Sequence, residues 1–268
     1  MDKFVTDQAE GLRRLLARVG PRVIAVAGGR GAGRTTTVAN LAAALIAVGQ
    51  DVRVIDESQG DAGRASATQI DELRHSTADV VLIDAQLDED GALSPLALCA
   101  HDVLVVTRID AHAITVAYAC VKRLHFAHAI GQFRVLANHV HSAADARAVL
   151  DNLASVAGHY LAVALTSAGS VAADPHMSRA LALSRPIVDA FPSTVAARDF
   201  RRVAAELQHW PMRPSLATLV NPALAKAGQA TSEGTREGTS EPSIAEAEPA
   251  AAGWQPGLAA QPRTLHHA

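Results

Sequence analysis

Aromatic side chains are nearly missing from this chain: 3% of its 268 residues, as five Phe, two Trp and two Tyr. That scarcity argues against a surface that stacks nucleic-acid bases on aromatic platforms. Cysteine is rarer still. Cys99 and Cys120 lie far apart in apolar stretches, which fits two buried, reduced thiols of a cytoplasmic protein rather than a disulfide framework. A basic excess is lacking too: 24 Lys and Arg stand against 27 Asp and Glu, for a net charge of −3 and a pI near 6.4. Nothing in that balance points to DNA, RNA or an anionic membrane as partner. No uninterrupted apolar run reaches the roughly 18 residues of a transmembrane helix. Met1-Asp2-Lys3-Phe4 does not start the charged-then-apolar pattern of a signal peptide.

What is present is aliphatic. Hydrophobic residues make up 49% of the chain, enough for a sizeable core, so wholesale disorder is excluded. Short Val-, Ile- and Leu-rich runs fall at 22–27, 52–56, 79–84, 102–107, 133–138 and 160–165. Apolar on both faces and too short for capped helices, they read as strands of a parallel sheet covered on both sides. Helical patterns alternate with them at 35–48, 111–128, 143–157 and 195–208, two of them closed by Gly49 and Gly158. This alternation predicts an α/β, doubly wound, mostly parallel sheet.

The composition changes at both ends. Seven of the twelve prolines lie from Pro211 onward, and 228–268 is Gly, Ala, Ser, Thr, Pro and Glu with Trp254 as its lone aromatic. Such a segment buries too little apolar surface to offset its ordering entropy, so 211–268 reads as a low-complexity, disordered tail with room for a short helix before residue 228. At the other end, Phe4, Val5, Ala9, Leu12, Leu15, Leu16 and Val19 recur at three- to four-residue spacing before the Gly20-Pro21 break. Residues 1–20 therefore form a helical arm outside the domain at 21–210. The arm either docks on its own domain or binds a partner.

The first strand runs into Gly28-Gly29-Arg30-Gly31-Ala32-Gly33-Arg34-Thr35, and a helix follows. Strand, glycine loop and helix N-terminus together make an anion site from backbone N–H groups. Against G-x-x-x-x-G-K-[ST] the loop matches at Gly28, Gly33 and Thr35, with Arg34 in place of lysine. Against the dinucleotide pattern G-x-G-x-x-G it fails, because Arg34 occupies the third glycine. The loop is either a mononucleotide site, with Gly31 and Thr36 also lining it, or a plain turn. Asp56 and Asp84 end neighbouring strands beside the crevice where phosphate and metal sit in such sheets. Asp84, in Val81-Leu82-Ile83-Asp84, has the setting of the aspartate that holds Mg²⁺ through water in P-loop proteins, and Thr35 would offer it a hydroxyl.

Taken together, these residues resemble the ParA/MinD group of P-loop ATPases with a deviant Walker A loop, and more closely its FlhG (FleN) branch. Asp7-Gln8-Ala9-Glu10-Gly11-Leu12-Arg13 resembles the D-Q-A-x-x-L-R element that opens FlhG proteins. Thr35 to Ala42 resembles the helix after the family's loop, and Asp174-Pro175, Arg185-Pro186 and Phe191-Pro192 resemble its late landmarks. The resemblance covers about residues 2–210. It implies ATP or ADP with Mg²⁺ as cofactors and an ATP-dependent homodimer. It implies a contact to the adenine from Asn138, and a partner, the SRP-type GTPase FlhF, engaged by Gln8, Ala9, Leu12 and Arg13. A cytoplasmic protein, placed at the cell pole, is the matching location.

The departures matter as much. The family's signature lysine falls at Gly29, with Arg30 next to it as a substitute. Its water-positioning second aspartate falls at Ser58, the stretch from Asp56 to Asp84 is about half the usual length, and the tail lacks the family's basic amphipathic membrane helix. Losing a water-positioning group and a transition-state cation removes orders of magnitude in rate, so weak or absent ATP hydrolysis is expected, with Asp84 the one catalytic candidate left. The competing readings are a working positioning ATPase that uses Arg30 and Arg34, and a nicotinamide enzyme with Asp56 on the ribose. His125-x-x-His128 and His139-x-His141 have no Cys or Glu at ligand spacing and read as ordinary histidines.

Overall fold

The structure, a computed structural model, describes residues 20–57 and 66–220. The arm residues Gln8, Ala9, Leu12 and Arg13, together with Ser58 and the tail from 221, lie outside the described residues. Six parallel strands form one sheet: β1 (Arg22–Gly28), β2 (Val52–Asp56), β3 (Val80–Asp84), β4 (Asp102–Thr107), β5 (Gln132–Val140) and β6 (Ala164–Ala172), in the order β2-β3-β1-β4-β5-β6. Among the described residues there are eight α-helices: α1 (Arg34–Ala47), α2 (Ala67–Arg74), α3 (Ala111–His128), α4 (Ala143–Leu161), α5 (His176–Ala182), α6 (Ile187–Ala190), α7 (Val195–Gln208) and α8 (Leu216–Val220).

Strand periodicity divides the core into two layers, because successive side chains point to opposite faces. Val23, Ala25 and Ala27 of β1 join Val81, Val105 and Phe133 on the face covered by α2, α3 and α4. Ile24 and Val26 join Leu82, Leu104 and Leu136 on the face covered by α1 and α7. Both faces of the central strands are therefore dry, which explains their unbroken aliphatic runs. The expected doubly wound α/β sheet is what the chain forms.

Most element ends obey local chemistry. Asp110, Ser142 and Thr194 cap α3, α4 and α7 through side-chain oxygens, and Ser66 with Gln69 forms a capping box on α2. One expectation needs correction. The run at 160–165 meets the sixth strand only at Ala164 and Leu165: α4 continues through Gly158 to Leu161, Ala162 with a φ of 53° closes it, and the strand starts at Ala164. Gly158 sits inside the helix although glycine costs roughly 1 kcal/mol there. The real sixth strand, ALTSAGSVA, is an edge strand with mixed exposure, so it carries no strong apolar period to read.

At the N-terminal ends of the strands, Asp102 is fully buried among Arg22, Arg134 and Arg213 at 3.6, 3.4 and 3.3 Å. The Arg134 guanidinium also lies over the Trp210 ring, 3.9 Å from its centroid. The glycine loop lies at the opposite end of the sheet.

Candidate functional site

The order β3-β1-β4 puts the first strand between two strands reached by crossovers on opposite sides. Ligands of open parallel sheets bind at such a switch, beyond the carboxyl ends of the strands. Here the loop from Gly28 to Gly33 arches over that point and opens onto a cleft of about 890 Å³. Gly28, Gly31, Gly33, Arg34, Thr35 and Thr36, all expected at the site, line this cleft. Its far wall is α3, through Val116, Cys120 and Arg123, and its rim is Gln86 and Leu87 after β3.

Glycine is required by space as much as by backbone angle. A Cβ at Gly28 would stand 2.6 Å from the Val106 carbonyl oxygen, because β1 and β4 are in register there. At Gly29 it would stand 2.3 Å from Val116 Cγ1, and at Gly33, where φ is +88°, 2.3 Å from Asn138 Nδ2. Gly31 also has a positive φ, of 79°, but faces open space. No side chain caps the N-terminus of α1, whose N-cap is the left-handed Gly33. The first-turn N–H groups of α1 thus keep the free polarity that favours an anion.

Asn138 sits beneath the loop. Its amide Nδ2 donates to the Ala32 carbonyl at 2.9 Å, and its Oδ1 accepts from the His139 N–H. The residue expected to meet the adenine thus holds the loop's own backbone. Asp84 and Asp56 end β3 and β2 side by side in register. Asp84 is buried, and one of its oxygens accepts from Arg34 Nε in an ion pair. The basic residue of the loop therefore turns onto the strand-end carboxylate. Arg30 and Thr35 are exposed at the mouth.

Glu57 belongs to the site as well, and sequence reasoning missed it. Its side chain is buried; Oε1 accepts from the Ser94 hydroxyl and Oε2 from the Gln86 N–H. It ties the end of β2 to the segment after β3 that rims the cleft. Nothing in Asp56-Glu57-Ser58 says which acid turns inward, so only the fold identifies it. Burial pushes the Glu57 carboxyl above its ordinary range, against the downward pull of Ser94, Gln86 and Arg34. A native pKa above the unfolded value means the folded chain holds the proton more tightly. The group's contribution to stability is then fully present below the unfolded value of about 4.3, and is lost as pH rises through the native value. Glu57→Gln, which can serve the same two partners, should flatten that decline in a pH series of urea midpoints. Glu57→Ala should lower stability by about 1–3 kcal/mol, because it orphans the Gln86 N–H and the Ser94 hydroxyl.

Cys120 is buried in the α3 wall, and burial pushes its thiol up to about 11, which makes it inert. His125 and His128 have structural partners: the His125 ring meets the Ile130 carbonyl, and His128 Nε2 accepts from the Leu93 N–H. Among the described residues no three His, Cys, Asp or Glu side chains converge as metal ligands, and no helix is long and apolar enough to cross a membrane.

No protein-family model matches the chain. The antiactivator FleN of Pseudomonas aeruginosa is 28% identical over 245 aligned positions, covering 71% of this chain and 88% of that protein. Among solved structures, a chain of the MinC:MinD cell division protein complex of Aquifex aeolicus superposes with a TM-score of 0.55 at 17% identity, over 72% of this chain and 99% of that one. The septum site-determining protein MinD of Pyrococcus horikoshii, complexed with Mg-ADP, gives 0.51 at 17% identity, over 70% of this chain and 96% of that one. At such identity the structures speak for the fold. Sheet order, glycine loop and these neighbours give the chain the α/β fold of MinD-type P-loop proteins. Within that class the chain is similar to the FlhG (FleN) branch, as its sequence indicated.

Proposed function

We propose that this protein regulates flagellar number or placement by acting on the SRP-type GTPase FlhF, through the arm residues Gln8, Ala9, Leu12 and Arg13. The observation that carries the reading is the similarity to an antiactivator, FleN, over most of both chains. The D-Q-A-x-x-L-R element adds the partner, and the class adds a nucleotide-binding domain behind it. The glycine cradle, the uncapped helix N-terminus and the open cleft support binding of ATP or ADP at Gly28, Gly31, Gly33, Arg34, Thr35 and Thr36. By the resemblance, Mg²⁺ would be held by Thr35 and, through water, by Asp84. The same resemblance supports an ATP-dependent homodimer and a location at the cell pole.

Hydrolysis is weak or lost in this reading. Glycine stands at the signature-lysine position and serine at the water-positioning one. Arg34, the remaining loop cation near the helix, is paired with Asp84. The expected result is a chain that raises FlhF GTP turnover severalfold while its own phosphate release stays near background. A peptide of residues 1–20 should reproduce the stimulation, and Gln8→Ala should abolish it in both peptide and full chain. Absence of stimulation by the wild-type chain and peptide overturns the reading.

A further inference from the structure

We propose that Arg34 is the resident cation of the cleft, so that its nucleotide binds without a divalent ion. The inference rests on the nucleotide reading above and departs from the Mg²⁺ assignment to Thr35 and Asp84. A P-loop magnesium ion works as a bridge: it stands between an acidic strand end and the phosphate oxygens and neutralises both. In this protein a guanidinium already stands at the acidic end. Arg34 Nε is paired with Asp84 Oδ1, and the Asp84 side chain keeps only 1% of its exposure. The other oxygen, Oδ2, is sealed from solvent with no hydrogen-bond partner among the described residues. Neither oxygen of Asp84 is therefore open to a hydrated ion. Magnesium dehydrates reluctantly and keeps several waters in octahedral geometry, so this carboxylate does not fit it, even through water. The Thr35 hydroxyl alone, exposed at the mouth, makes no site for a dication beside a fixed positive charge.

The rest of Arg34 fits the substitute role. Its Nε is used by Asp84, and its two terminal nitrogens make no hydrogen bond among the described residues. Arg34 lines the cleft together with the glycine cradle. A planar guanidinium can hold a carboxylate along one edge and offer its remaining N–H groups to phosphate oxygens, which a lysine ammonium cannot do in the same fixed geometry. Glu57 stands close enough for the Arg34 charge to act on it, beside the Arg34–Asp84 pair. Arginine at this position is thus a replacement for lysine and metal together: it joins the strand end to the ligand's phosphates by itself.

Isothermal titration of the full chain with ADP, in Mg²⁺ and in EDTA, tests this. The wild type should bind with affinities that agree within about threefold in the two buffers, since the bridging charge is part of the chain. Arg34→Lys should make binding metal-dependent, at least about tenfold weaker in EDTA than in Mg²⁺, because lysine frees Asp84. Arg34→Ala should weaken binding about tenfold or more in EDTA. Circular dichroism melts establish that each variant is folded. Wild-type affinity that falls about tenfold or more on removal of Mg²⁺ overturns this inference alone. Wild-type protein that binds ADP in neither buffer overturns the nucleotide reading and the inference with it.

Discussion

Asp102→Ala should lower the unfolding free energy by about 3–5 kcal/mol, the range for breaking a buried ion pair from one side. The carboxylate is wholly buried, while the side chains of Arg22, Arg134 and Arg213 keep 12%, 7% and 27% of their exposure. Three guanidinium groups share one negative charge, so its removal strands positive charge in a dry corner. Arg134 has no escape, since it lies over Trp210 with a strand on either side. Arg22 is also tethered, donating to the Trp210 carbonyl at 2.6 Å. Asp102→Asn keeps the shape and loses the charge, so it should retain little of the difference. A urea titration gives the measurement: the midpoint should move at unchanged slope. Nucleotide affinity should change by no more than about twofold, because the cluster and the glycine loop sit at opposite ends of the sheet and distant sites add independently. An equal loss of binding would mean that the two ends of the sheet are coupled.

The legible and illegible parts of this chain divide along physical lines. The inner strands could be read because both faces are buried: β1, β3 and β4 show unbroken apolar runs of Val, Ile, Leu and Ala, and 102–107 coincides with its strand. Of the two edge strands, β2 keeps its Val and Ile and was legible at 52–56, whereas β6 was not, since its exposed positions are filled by Thr, Ser and Gly. Helices with a strong cap, such as α3 behind Asp110, start where their sequence says. The short helices α2, α5 and α6 span 8, 7 and 4 residues and show too few turns for a period.

At the site, the glycine loop was legible because its spacing and its strand-to-helix setting are both local. Pairings between distant segments were not. That Arg34 turns onto Asp84, fifty positions away, that Asn138 holds Ala32, and that Glu57 rather than Asp56 is buried all depend on strand order. A motif reports which groups are available; the sheet decides which of them meet.

Gly33→Ala is the loop change expected to affect binding most, and its parts can be separated. A side chain at φ +88° carries left-handed strain of about 1–2 kcal/mol. The new Cβ would also stand 2.3 Å from Asn138 Nδ2, so that amide must leave the Ala32 carbonyl it holds. Losing this hydrogen bond adds about 1 kcal/mol and frees the arch of the loop over the cleft. ADP affinity should therefore fall about tenfold or more. Gly31→Ala is the control for strain alone, since its φ is +79° with open space around the Cβ; it should show the backbone cost with little effect on the loop's anchor. Asn138→Ala removes the obstructing group in advance. In that background Gly33→Ala should cost only what Gly31→Ala costs, leaving a coupling of about 1 kcal/mol between positions 33 and 138 in a double-mutant cycle. Additive effects would show that the glycine is needed for its backbone angle and that the asparagine does not hold the loop.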